Sequence, residues 1–151
     1  MDTQQKYKTF EDLDAYKSAR VFRKSMYHVA KSLPEIEKFA LSSQIRRAAV
    51  SLTNNIAEGH GRYHFLDQIK FMLQSRGSLE ELIDDLNVCE DEQYLMPEQV
   101  SKLKDEAWQV HKILNGYIRY LRNSKATGSY VLRDGESKEI ETDEFLEDVN
   151  V

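Results

Sequence analysis

Residues 97–121 read PEQVSKLKDEAWQVHKILNGYIRYL, and within them Val100, Leu103, Ala107, Val110, Leu114, Tyr117 and Leu121 recur at alternating steps of three and four. That alternation keeps seven apolar side chains on one side of a 3.6-residue repeat, the mark of a helix with one buried stripe. Pro97 suits the first helical position, where the missing N–H would have had no partner.

Working back along the chain, the same pattern appears three more times. Phe65, Ile69, Met72, Leu79, Ile83 and Leu86 mark a helix over about 63–90, followed by a turn. Leu41, Ile45, Ala48, Leu52 and then Asn55 or Ile56 mark another over about 37–58, with Gly59 and Gly61 expected to end it through the left-handed conformation that glycine accepts. Ala15, Ala19, Phe22, Met26, Val29 and Leu33 mark a helix starting after Thr9, which is placed to cap it, and stopped by Pro34. Four helices with short connections must run antiparallel to their neighbours. The expected fold is all-α, an antiparallel up-and-down four-helix bundle over 9–123 that is oligomeric, with a flexible acidic tail over 124–151.

Composition agrees with one helical core. Only 6 Gly and 2 Pro in 151 residues leave few breaks. The net charge of −5 is uneven: residues 126–151 hold eight acids against Arg133 and Lys138, so the rest of the chain is near +1. Cys89 is the one cysteine and the N-terminal stretch is polar, so we expect a reducing, cytoplasmic protein with no membrane span.

Chemistry-bearing patterns are sparse. A di-iron bundle needs Glu-x-x-His pairs, and the chain has none; His60 and His64 read as surface residues at a turn. Carboxylates at Glu80, Glu81, Asp84 and Asp85 resemble the Mg²⁺-binding helix of all-α nucleotide pyrophosphatases, but Glu98, Asp105 and Glu106 lack the spacing of a second acidic helix. A metal-dependent nucleotide hydrolase is therefore the lesser alternative. No catalytic residue, metal site or cofactor is expected, and Cys89 reads as a packed thiol.

Polar residues on apolar seams say more. Asn55 and Arg76 must be paired, exposed or shared between subunits; they fix helix register or contact a ligand. Glu58 joins Asn55 as an expected structural polar residue. Folding the middle helices about residue 60 puts Arg46 and Arg47 level with Arg76, and with Arg62 they form the expected nucleic-acid-binding group. Phe71, Leu82, Ile113 and Ile118 overflow the single seams and are expected to line an interface between copies.

Several ordered motifs resemble one family. They are FEDL (residues 10–13), SQIRRAAVS (43–51), NIAEG (55–59), Gly61-Arg62 and RGSLEEL (76–82). These are similar to the 23S rRNA intervening-sequence proteins over about residues 9–122. The resemblance implies a four-helix protomer in a five-membered ring without known enzymatic activity. It also implies kinship with accessory proteins of diversity-generating retroelements, which bind nucleic acid and partner a reverse transcriptase. Thr53 and Asn54 stand where the family usually has Pro, and His64, Phe65 and Leu66 where it is polar or basic. The expected function is a non-enzymatic homo-oligomeric scaffold, a homopentamer by resemblance; RNA binding or service to a nucleic-acid enzyme is the alternative.

Overall fold

A computed structural model describes residues 9–126; of the expected tail, 124–126 belong to the last helix and 127–151 lie outside the described residues. They form four helices, α1 (Asp14–Ser32), α2 (Leu41–His60), α3 (Phe65–Asp91) and α4 (Pro97–Ala126), and no strand. Contacts run α1 to α2, α2 to α3, α3 to α4 and α4 back to α1, so α1 and α3 sit on a diagonal. No helix among the described residues is long and apolar enough to cross a membrane.

Local chemistry sets the boundaries. Thr9 caps a single 3₁₀ turn (Phe10–Asp12) rather than α1 directly: its hydroxyl accepts from the Glu11 N–H at 3.2 Å, and Asp12 accepts from the Thr9 N–H at 3.0 Å. Leu33, extended before Pro34, ends α1. A second 3₁₀ turn (Glu35–Glu37) delays α2 until Leu41, four residues later than the spacing suggested. Glu37 supplies the missing cap by accepting from the Leu41 N–H at 3.1 Å, and also accepts from the Tyr94 hydroxyl at 3.4 Å. That second bond ties the α1–α2 and α3–α4 connections together at one end of the bundle. Gln93, with φ of 59°, turns the chain after α3, and Gln99 accepts from the Met96 N–H to start α4. The last helix runs past Asn123 to Ala126.

The core is the set of seams facing inward, led by Phe22, Met26, Ile45, Leu52, Ile69, Met72, Leu79, Leu86 and Leu114. Two expectations change here. Ile118 rather than Tyr117 continues the α4 seam, and Tyr117 is half-buried. Gly59 does not stop α2: the helix runs through it to His60, and Gly61 follows with a right-handed φ of −77°. The role of Gly59 is close approach, because a Cβ there would lie 2.7 Å from Phe71 Cβ and 2.8 Å from Met72 Cε. Serines lock the same pair of helices, with Ser75 donating to the Leu52 carbonyl at 2.6 Å and Ser51 and Ser78 sharing a bond of 2.8 Å.

Candidate functional site

A side-chain network of four residues spans α3 and α4. Arg76 donates through Nη1 to Asn115 Oδ1 at 3.1 Å, and the Asn115 amide nitrogen lies 3.0 Å from His111 Nδ1. Because the Asn115 oxygen is already used by Arg76, its nitrogen donates to Nδ1. Nε2 of His111 then carries the proton and donates to Glu80 at 2.9 Å. Trp108 meets the ring edge-on, with centroids 5.2 Å apart. Both imidazole nitrogens are thus occupied by partners within the chain, an arrangement that fixes the α3–α4 register.

The expected arginine group separates. The Ser51–Ser78 and Leu52–Ser75 bonds and the Gly59–Phe71 approach set Arg76 opposite the level of Leu52. Arg46 and Arg47 therefore lie about 8 Å further along the bundle at 1.5 Å per residue, contrary to the expectation that they are level with Arg76. The cause is that α2 continues through Gly59, which shifts the turn down the chain. Arg46 donates to the Ser42 and Lys38 carbonyls at 3.2 and 3.3 Å, and Arg47 is exposed. Arg62, at the opposite end, pairs with Glu58 at 2.7 Å and covers the Phe71 ring at 4.7 Å. Glu58 is thus exposed, whereas Asn55 is half-buried and donates to the Ser51 carbonyl and hydroxyl at 2.9 and 3.0 Å.

The expected interface set is also corrected in part. Leu82 and Ile118 are 0% and 1% exposed inside a single chain, so neither presents a surface to another copy. They are spent in the core because α3 and α4 each face two neighbours and need a buried arc wider than one seam. Phe71 and Ile113 are half-buried. Other apolar residues are left in water: Ile36, Phe39 and Met96, exposed by 81%, 88% and 63%, stand in the two connections at one end, while Val21 on α1, Val88 on α3 and Trp108 and Tyr120 on α4 are exposed along the helices.

Sequence reasoning missed how charge is distributed among the helices. Five cations against Asp14 give α1 a net +4, and α4 carries +3, while α3 carries −5. Pooled into one figure for the body, these values cancel to near zero; taken helix by helix, the pattern was present in the sequence. Lys17, Arg20, Lys24 and Lys31 are exposed and step by three, four and seven, a line of about 21 Å on the outer side of α1. On the diagonal helix, Gly77, Glu81, Asp84, Val88 and Asp91 are exposed and step by four, three, four and three, also over about 21 Å. None of these charged side chains makes an ion pair among the described residues. Gly77 has no atom within 4 Å of where its Cβ would stand, so nothing in the chain itself requires a glycine there.

Burial, followed by the nearby Asp85 charge, pushes the Cys89 thiol up to about 11, so it stays protonated. Among the described residues no group of three or more His, Cys, Asp and Glu side chains converges on a metal position. A model of the family described as 23S rRNA-intervening sequence protein matches residues 11–116. No curated protein is significantly similar to the chain.

Proposed function

The chain belongs to the 23S rRNA-intervening sequence protein family, and from that premise we propose that it works without catalysis, as a scaffold built head to tail from copies of itself. The observation that carries this is the cationic line on α1 set diagonally across the bundle from the acidic line on α3. A surface and its complement on opposite sides of one protomer make a heterologous contact, which closes into a ring when the rotation allows. The family resemblance supports a pentamer as the closed form. Gly77 supports the same reading: a glycine inside a helix costs about 0.5–1 kcal/mol relative to alanine. A neighbouring copy pressed against the acidic line would give it a purpose. In such a ring the exposed Ile36, Phe39 and Met96 of every protomer face the same side, where a protein partner would dock.

Native mass spectrometry of the full chain tests this. At low ionic strength the mass should be a multiple of 17.6 kDa, five on our reading, and should fall as salt screens the contact. A mass of 17.6 kDa at every salt concentration overturns it.

A second reading has its own support. The line of Lys17, Arg20, Lys24 and Lys31, with exposed Lys112 and Arg119 on α4, offers spaced cations to the phosphates of structured RNA. These residues replace Arg46, Arg47, Arg62 and Arg76 as the proposed contacts. The two readings compete for one surface, so RNA that uses it should displace subunits and yield RNA-bound protomers, whereas a ring that gains only the mass of the RNA and keeps its subunit number would put the RNA on another face.

A further inference from the structure

Between the upper halves of α1 and α4 lies a groove of about 670 Å³. Val29 and Leu103, with Leu95 at its end, form an apolar floor; Lys24, His28 and Lys102 stand along the rim. The one carboxylate there, Glu106, already accepts from the Ser25 hydroxyl at 2.9 Å. A groove with this floor and rim suits an extended or helical segment that alternates acids with apolar side chains.

The chain carries such a segment. Residues 139–151 read EIETDEFLEDVNV, with six acids, no Lys or Arg, and Ile140, Phe145, Leu146, Val149 and Val151 among them. We propose that residues 139–151 dock in the α1–α4 groove of their own chain. Reach permits it. Ala126 ends α4 at the far end of the bundle, about 35 Å below Leu103 at 1.5 Å per residue. Residues 127–138 can span about 40 Å when extended. Phe145 and Leu146 then cover the floor, while Asp143, Glu144, Glu147 and Asp148 meet Lys24 and Lys102. The docked tail covers Lys24, one member of the cationic line, and so withdraws part of that surface from any other polyanion or neighbouring copy. The docking itself depends on neither the assembly nor RNA.

Photocrosslinking of the full-length protein tests this directly. A photoreactive phenylalanine analogue at Phe145 should attach to residues 24–32 of α1 and 95–106 of α4, and mass spectrometry of mixed light and isotopically heavy chains should show the two ends within one chain. Reversing the rim with Lys24→Glu and Lys102→Glu together should lower the yield about fivefold, the scale of two exposed ion pairs. Attachment to α2, α3 or no defined position overturns the docking, and attachment only between light and heavy chains overturns its assignment to the same chain. No RNA is present and the protein need not assemble, so failure here leaves the scaffold reading standing.

Discussion

Asp85 sits on α3 with 5% of its surface exposed and one carboxylate oxygen without a hydrogen-bond partner among the described residues. Desolvation, then the charges of Glu81 and Asp84, raise its pKa from 3.8 to about 6. The unfolded chain releases this proton first, so between about pH 4 and pH 6 the folded state binds more protons. The group's effect on stability therefore turns unfavourable as pH rises through that window and stays so above it. Asp85→Asn should remove the slope and stabilise the protein at pH 7 by about 1–3 kcal/mol, read from urea unfolding at pH 4 and pH 7. A lower midpoint for the variant at pH 7 contradicts this. Gly59→Ala should cost about 1–3 kcal/mol because its methyl meets Phe71 and Met72, and an unchanged melting temperature contradicts it. The seam residues that fill the core were legible from spacing alone, since a helix maps sequence period onto direction. The role of Gly59 was not, because a close approach depends on where a second helix crosses, and the sequence offered only its usual use as a stop.

Among the elements, α3 is built with a face that the protomer leaves unused. Gly77 weakens that helix at a position open to water, and the acids beyond it repel one another. If a neighbouring copy meets this face, Gly77→Leu should lower the assembly's mass in light scattering while far-UV circular dichroism keeps the parent's helicity. A variant that assembles like the parent and melts higher would mean the position is only a weak point in a solvated helix. The four helices and their order could be read from the seams, and Pro34 and Pro97 lie at or beside observed boundaries, whereas Thr9 caps the 3₁₀ turn that precedes α1. The level of Arg46 and Arg47 could not, because it depends on where the α2–α3 turn pivots, and a shift of a few residues moves every cross-helix pairing.

For the whole molecule the decisive feature is polarity, with a basic side at α1 and α4 and an acidic side at α3. A protomer of this kind carries both halves of one contact, so each half can be altered alone and then restored by the other. The charges were countable from the start, and the expected up-and-down order already set α1 and α3 on a diagonal; what the packing adds is which charged residues of each helix face outward in a line. The most direct test is charge-swap complementation. Full chains carrying Lys17→Glu and Lys24→Glu, and full chains carrying Glu81→Lys and Asp84→Lys, are measured apart and then with both changes in one chain by native mass spectrometry. Each alteration alone should leave the protein at 17.6 kDa, and the combined chain should regain the multiple seen for the parent. Singly altered chains that assemble as the parent does, or a combined chain that stays at 17.6 kDa, would contradict the account.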